Sequence, residues 1–253
     1  MTFQYKSKAH FLYAASHNEL QSMGVRITSG SDFEEYRELL AIARPDHALG
    51  EPFEPKKYEL NESNAIWMVG HNEAGEIVHT QAMKTIPTLH LSLGDYLTRN
   101  LREFEPSGMD IDYNRTVYRP GPGASRMKGT VVYHGEFWVG GSPRRGALLS
   151  PVLGKHAFLT ALDHWRPDYT FGFIAKTLAH KGFSARFGFM NNEPNAVKYA
   201  INGSDETFEG TMGYMSSEDL HNVLDLPYAE QNESAACFWS ILLTDGSGFY
   251  GII

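Results

Sequence analysis

The stretch from Gly129 to Arg186 constrains the fold more than any other part of the chain, because strand-like and helix-like patterns alternate within it. Residues 130–139 are rich in β-branched and aromatic side chains, and residues 169–175 form a second run of the same kind. Both runs have the length and composition of buried strands. Residues 140–149 lie between them and carry glycines and two arginines, a composition typical of a loop. We therefore expect a strand, a loop, a helix and a strand in that order.

The helix within this stretch has recognisable end signals. Ser150 is a good N-cap residue, and Pro151 after it fits the first helical position. Pro167 disfavours helical geometry in the residue before it, so the helix is expected to end near Trp165. Backbone N–H groups in the first turn of a helix have no partners within the helix, and the helix dipole places partial positive charge there. The start of this helix at Ser150 is therefore expected to attract an anion.

Charge is distributed unevenly along the chain, which supports an anionic ligand. Residues 115–190 hold eleven Lys and Arg against three Asp and Glu, whereas the whole chain has a net charge of −8. Arg144 and Arg145 lie in the loop before the expected helix, where their guanidinium groups suit a pyrophosphate. The alternative is a surface loop with two solvated arginines and no ligand.

The same residues resemble the core of the GNAT acyltransferase superfamily, the GCN5-related N-acetyltransferases. The resemblance rests on residues 136–139, on Arg144 five positions beyond that run, and on the long helix and aromatic strand that follow. In that family, the loop after the fourth strand cradles the pyrophosphate of acyl-coenzyme A with the pattern Arg/Gln-x-x-Gly-x-Gly/Ala. This chain has Arg144-x-x-Ala147-x-Leu149 in that register, with Gly146 one place away. Both small positions of the family pattern are therefore altered.

The N-terminal half follows the element order of a GNAT domain. Residues 23–27 form a candidate strand, and Ser31 with Glu34 forms a capping box that starts a helix, which ends before Pro45. Two strand-like runs then flank a turn that contains Gly75, a pattern that predicts a β-hairpin. This order of strand, helix and hairpin is independent of the loop motif and adds to the resemblance.

The resemblance implies an α/β (α+β) fold with a mixed, mostly antiparallel central sheet flanked by helices. We expect one GNAT-like domain over residues 1–253, with an insertion at residues 86–128 before the central strand. Residues 191–253 hold ten Asp and Glu and a single lysine, and we expect them to form an acidic C-terminal extension packed on the core.

The resemblance also implies acyl-CoA as co-substrate, with acetyl-CoA as the expected form. The backbone N–H of Val139 is the expected donor to the thioester carbonyl oxygen. The residues expected to contact the cofactor are Phe137, Val139, Arg144, Arg145, Gly146, Ala147 and Ser150.

Glu136 is the expected general base for an acceptor amine, and His134 is the second candidate. Alternation along a strand places Glu136 on the same face as His134 and Trp138, opposite Phe137 and Val139. Burial of a carboxylate beside aromatic rings raises its pKa, which suits a base. The alternatives are a solvated or ion-paired Glu136 and a hydrogen-bonded structural histidine at position 134.

Composition and motifs argue against several other classes. The net charge of −8 argues against nucleic acid as the main partner, since such binding depends on neutralising phosphates. Cys237 is the single cysteine, which fits a reducing compartment, and no signal peptide or membrane-spanning apolar run is visible. The histidines show no metal-ligand spacing, and a Gly-x-Ser-x-Gly element is missing, so neither a metal site nor a serine hydrolase is expected. The expected location is the cytoplasm.

Three hypotheses follow for the function. The first is an N-acyltransferase that moves an acyl group, expected to be acetyl, from coenzyme A to an amine of a small molecule. The second resembles the acyl-homoserine-lactone synthases, GNAT relatives that use acyl carrier protein, because residues 86–88 and the insertion are similar to their pattern. The third is a GNAT-fold domain that binds acyl-CoA or a partner without catalysis, since Leu178 stands where the family often has its general-acid tyrosine. The acceptor, the acyl length and homodimer formation stay open.

Overall fold

The computed structural model describes the backbone of residues 3–141 and 143–225, and the side chains of residues 8–141 and 145–225. The helices are α1 (Phe3–Ser22), α2 (Phe33–Ala43), α3 (Leu93–Asn100), α4 (Pro122–Arg126), α5 (Pro143–Trp165), α6 (Lys176–His180), α7 (Phe183–Phe187) and α8 (Ser217–Asp225). The strands are β1 (Arg26–Gly30), β2 (Ala65–His71), β3 (Ile77–Ile86), β4 (Ile111–Tyr118), β5 (Val131–Val139), β6 (Tyr169–Ala175), β7 (Asn191–Ile201) and β8 (Thr207–Ser216). Short 3-10 helices cover Glu51–Phe53 and Leu101–Phe104.

One mixed sheet organises the described part of the chain. Its eight strands lie in the order β1-β2-β3-β5-β6-β8-β7-β4. Neighbouring strands are antiparallel except β5 and β6, which are parallel, and helices pack on both faces. The expected fold class, a mostly antiparallel sheet flanked by helices, is confirmed. The chain between β3 and β5 carries α3, β4 and α4, and β4 pairs with β7 at the far edge of the sheet.

The N-terminal half contains the strand, helix and hairpin that the sequence predicts. Helix α2 ends at Ala43, before the proline that was expected to stop it, and Gly75 takes a positive φ of 82° in the turn between β2 and β3. The expected N-cap is wrong by one residue. Asp32, not Ser31, accepts hydrogen bonds from the N–H groups at positions 34 and 35, at 2.9 and 3.3 Å.

Each face of the sheet has its own hydrophobic core. On one face, Phe33 of α2 stacks on Phe53 and Tyr36 of α2 stacks on Trp67 of β2, in a core that also holds the buried aromatic residues of β5 and β6. On the other face, α1, α5 and α7 cover Phe137, Val139 and further apolar residues. The aromatic residues Phe171 and Phe173 of β6 are fully buried in the first core, as expected of a buried strand.

Helix α5 begins earlier than the sequence predicts. It starts at Pro143, and Ser150 and Pro151 lie inside it, so the expected start at Ser150 is wrong. The hydroxyl of Ser150 is fully buried and donates a hydrogen bond to the carbonyl oxygen of Gly146 at 2.5 Å, one helical turn back. Proline is well tolerated at the first position of a helix, and Pro143 fills that position here. Leu149, which lies before Ser150 in this helix, packs in the second core.

The structure describes the first part of the expected acidic C-terminal extension. Residues 191–225 form β7, β8 and α8, and β8 pairs with β6 along the whole length of β6. The rest of the expected acidic extension, residues 226–253 with Cys237, lies outside the described residues.

Candidate functional site

Strand β5 contains a β-bulge at Glu136. Gly135 pairs with Ala82 of β3, but Trp138 pairs with Thr80, so β5 has one residue more than β3 between these pairs. Glu136 has a positive φ of 55°, which few residues other than glycine adopt. A bulge bends the strand and changes the direction of the side chains that follow.

The bulge alters the alternation that the sequence predicts for β5. The ring of His134 lies 6.3 Å from the ring of Phe137, and both rings lie against Phe187 of α7 on one face of the sheet. Glu136 and Trp138 face the opposite side. The expectation that Glu136 and His134 share a face is therefore wrong, whereas the placement of Glu136 with Trp138, opposite Phe137, is correct.

Strands β5 and β6 separate after a short paired segment. They pair from Val131 with Tyr169 to Tyr133 with Phe171, and the described residues show no pairing between them beyond that point. Strand β5 stays paired with β3 as far as residue 139, and β6 stays paired with β8 as far as residue 175. The two strands are thus held by their outer neighbours while they diverge from each other. We call the opening between residues 134–139 and residues 172–175 the β5–β6 wedge.

The backbone N–H of Val139 points towards the wedge. The N–H of Gly140 donates to the carbonyl oxygen of Val78 at 2.9 Å, so residue 140 points towards β3. The carbonyl of Trp138 also has a partner on β3, because it accepts from Nδ1 of His79 at 2.7 Å. Successive residues of a strand direct their backbone groups to opposite neighbours. Val139 lies between two residues directed to β3, and its N–H therefore faces β6.

The start of α5 lies directly beyond the end of β5. Residues 140–142 link the two elements, and Gly141 takes a positive φ of 93° in that link. The side chain of Arg145 lies beside the link, since its Cδ atom is 3.6 Å from the position of a Cβ atom on Gly141. The N–H groups at the start of α5 lack partners within the helix, and they belong to residues 144 and 145, not to Ser150, since Pro143 has no N–H. Gly146 is buried in the helix, Ala147 is half-buried, and the side chain of Arg144 lies outside the described residues.

Glu136 forms a buried network on the α2 face. Its Oε2 accepts hydrogen bonds from Nη1 of Arg44 and from Nε2 of His47, each at 3.1 Å. Its Oε1 accepts from the backbone N–H of Gly50 at 2.7 Å. The side chain of Glu136 is 4% exposed and that of Arg44 is 6% exposed, whereas the side chain of His47 is 23% exposed. The carboxylate of Glu136 is thus inaccessible to solvent, and the imidazole of His47 is the member of the network that reaches solvent.

The pKa of Glu136 is lowered, so the expectation of a raised pKa is wrong. Burial alone would raise the pKa of this carboxyl, but the hydrogen bond from His47, the charges of His47 and Arg44 and the N–H of Gly50 outweigh it. Two buried tyrosines, Tyr36 and Tyr133, have raised pKa values, first because of burial and then because of the Glu136 charge. Glu136 is therefore a carboxylate at neutral pH.

His134, the second expected base, lies in the apolar layer between β5 and α7. It is fully buried, its Nε2 lies 2.9 Å from Oε1 of Gln81, and burial lowers its pKa to about 3. His79 on β3 is also fully buried, and burial likewise lowers its pKa to about 3. These histidines are neutral at physiological pH and have the surroundings of structural residues.

A cavity of about 250 Å³ lies away from the wedge, between α1 and the C-terminal half of α5. Its lining includes His10, Tyr13, Thr160 and Asp163. Nothing on β5 lines it, so it is separate from the network around Glu136. Among the described residues, no group of three His, Cys, Asp or Glu side chains is arranged to hold a metal ion. The described helices are each too short or too polar to cross a membrane.

Sequence reasoning missed Arg44, His47 and Gly50, which belong to no recognised motif. A faint signal is the pairing of a cationic and an imidazole side chain directly after an amphipathic helix. That signal does not identify Glu136 as the partner, because Glu136 lies 89 residues from His47 and 92 residues from Arg44.

No protein family matches the chain by sequence, and no curated protein matches it. Among the solved structures that match it is a GCN5-related N-acetyltransferase from Kribbella flavida. The two chains are 11% identical, the match covers 77% of this chain and 99% of that one, and the TM-score is 0.37. A similarity of this size leaves the function to be argued from the residues of this chain.

Proposed function

We propose that the chain is an acyl-CoA-dependent N-acyltransferase that moves an acyl group, with acetyl the expected one, to an amine of a small molecule. The observation that carries the proposal is the β5–β6 wedge with the start of α5 at its outer end. The pantetheine arm of coenzyme A is an extended chain with two amide groups. Such a chain pairs with an open strand edge as an added strand does. The edge of β5 along residues 134–139 offers backbone groups of that kind.

The start of α5 suits the pyrophosphate of the same ligand. Its first N–H groups lack helical partners, and Arg144 and Arg145 add positive charge within the first turn. Gly141 takes its positive φ at this point and leaves room for close approach of a ligand to the backbone. The proposed anion site is therefore at residues 143–145 and not at Ser150, where the sequence predicts it.

The N–H of Val139 supplies the donor that an acyl transfer requires. Attack on a thioester places negative charge on the carbonyl oxygen, and a backbone N–H that is already aimed at that oxygen stabilises the charge. In the described structure, Val139 is held in this orientation because both of its neighbours bond to β3. Phe137 packs against Phe187 of α7, on the face of the sheet opposite Glu136, and so fixes the strand against that helix.

One observation favours a second candidate, a domain that binds acyl-CoA without catalysis. Leu178 of α6 packs against the second core. It stands at the position where the resemblance would place the tyrosine that acts as general acid. Transfer of a longer acyl chain from acyl carrier protein is the remaining alternative, and it differs from the proposal in the donor and in the acyl length. An acyl carrier protein presents the same pantetheine arm without the adenosine pyrophosphate, so it has less need of Arg144 and Arg145.

Cofactor binding is tested by thermal unfolding with coenzyme A and acetyl-CoA. A ligand at 100 times its Kd stabilises the native state by about 2.7 kcal/mol, which raises the Tm measurably. The double variant Arg144→Ala/Arg145→Ala should lose this rise, whereas Arg126→Ala, which removes an exposed arginine on α4, should keep it. An equal rise in the double variant would show that the pyrophosphate binds elsewhere. No rise in the wild type at millimolar ligand would overturn the proposal.

Catalysis is tested by release of free thiol from acetyl-CoA when primary amines are added. Thiol release above the rate without protein separates the enzyme from the binder. Release from an acyl-loaded carrier protein, with none from acetyl-CoA, would favour the carrier-protein alternative.

A further inference from the structure

His47 and Glu136 have the geometry of a carboxylate–histidine pair. Nε2 of His47 lies 3.1 Å from Oε2 of Glu136. A carboxylate only accepts hydrogen bonds, so Nε2 must carry the proton of this contact. In the neutral ring, Nδ1 then has the lone pair. The pair thus fixes the tautomer in which the nitrogen away from Glu136 is able to accept a proton.

The carboxylate of this pair is itself fixed from the other sides. Arg44 holds one oxygen, and the N–H of Gly50 holds the other at 2.7 Å. A Cβ atom on Gly50 would lie 2.6 Å from Oε1 of Glu136, so a larger residue there would displace the carboxylate. The positive φ of Glu136 directs the side chain to this face. One connection, residues 44–50, therefore supplies three donors to one buried carboxylate, and that carboxylate orients one partly exposed imidazole.

The pair of His47 and Glu136 lies at the part of the sheet where β5 and β6 have separated. Glu136 lies within the stretch of β5 that has separated from β6, and Trp138 two residues later lies under Arg44, with the guanidinium carbon 5.9 Å from the ring centre. The imidazole of His47 is bonded to the side chain of Glu136, and it is more exposed than Glu136 or Arg44.

We propose that His47 is the general base of the acyl transfer and that Glu136 is its positioning residue, a role that rests on the proposed function. The amine nitrogen attacks the thioester carbonyl carbon, a C–N bond forms and the C–S bond breaks. Nδ1 of His47 takes the proton that the amine loses, and the departing thiolate takes up a proton from solvent. His47 then returns its proton to solvent, so that the products are an amide and free coenzyme A.

The test compares His47→Gln, Glu136→Gln and the matched control His90→Gln, which changes an exposed histidine outside the network. With acetyl-CoA and a panel of primary alkylamines, His47→Gln should lower kcat for thiol release by about 100-fold or more. The KM for acetyl-CoA and the Tm rise with coenzyme A should stay unchanged. The proposed contacts of coenzyme A, at the edge of β5 and the start of α5, do not include His47. Imidazole in solution should restore part of the rate to His47→Ala, and His90→Gln should behave as the wild type.

A second readout does not depend on activity. Nitrogen NMR of the imidazole should show the Nε2–H tautomer of His47 in the wild type, and this preference should weaken in Glu136→Gln. Wild-type kcat in His47→Gln, or an Nδ1–H tautomer in the wild type, would overturn the assignment and leave the proposed function standing. No thiol release from the wild type with any amine would overturn both.

Discussion

Arg44 and Glu136 should be coupled strongly in folding, and the size of the effect follows from their burial. The two side chains are 6% and 4% exposed, and their contact is 3.1 Å long. Replacing Arg44 by methionine keeps most of the apolar stem but leaves a buried carboxylate with less positive charge around it. Removing one partner of a buried pair costs about 3–5 kcal/mol, and the retained bonds from His47 and Gly50 favour the lower end.

The assay is urea unfolding followed by fluorescence, since the chain has four tryptophans. Arg44→Met should lower the free energy of unfolding by about 3 kcal/mol, which corresponds to a fall in Tm of roughly 6–12 °C for a chain of this size. The double variant Arg44→Met/Glu136→Gln removes both charges and should recover about 2 kcal/mol of that loss. The half-exposed pair of Lys57 with Glu51 is the control, and Lys57→Met should leave the urea midpoint nearly unchanged.

Two outcomes would refute this reasoning. A loss below about 1 kcal/mol in Arg44→Met would mean that solvent reaches the pair and screens it. Additive losses in the double variant would mean that the two side chains stabilise the fold through separate neighbours. The interaction energy between Arg44 and Glu136 would then be close to zero.

Two more results are expected from the same protein. Burial lowers the folded-state pKa of His79 and His134 from 6.5 to about 3, so the unfolded chain gains protons first as the pH falls. As the pH is lowered from 6.5 to 3, the free energy of unfolding should therefore fall by about 1.4 kcal/mol per pH unit for each histidine. Equal urea midpoints at pH 7 and pH 5 would contradict this. Val139→Pro removes the N–H that faces the wedge and should lower the rate of thiol release by about 100-fold relative to Val139→Ala, which keeps that group. Equal rates in these two variants would remove Val139 as the donor.

The sequence alone predicts the elements whose signals act over a few residues. The hairpin turn at Gly75, the end of α2 before Pro45 and the strands at residues 131–139 and 169–175 are all present where the local patterns place them. Such signals depend on backbone conformation and on side-chain alternation, which are fixed by near neighbours in the chain.

Local start signals do not fix the start of α5, because the packing of the whole molecule overrides them. Ser150 and Pro151 carry the signals of a helix start, yet the helix begins at Pro143. In the fold, α5 has to bury Leu149 and Leu153 against α1 and the sheet, so the longer helix with Pro151 inside it is the stable one. The proposed anion site moves with the start of the helix.

The wedge and the network around Glu136 exist only in the tertiary structure. The bulge that turns Glu136 away from His134 arises from the pairing register of β5 with β3, which no single strand encodes. His47 and Glu136 are 89 residues apart in the chain, and they meet because the connection after α2 lies on the face of the sheet that carries the Glu136 side chain. A buried carboxylate needs cationic and N–H partners wherever it comes to lie, and only the fold determines which residues supply them.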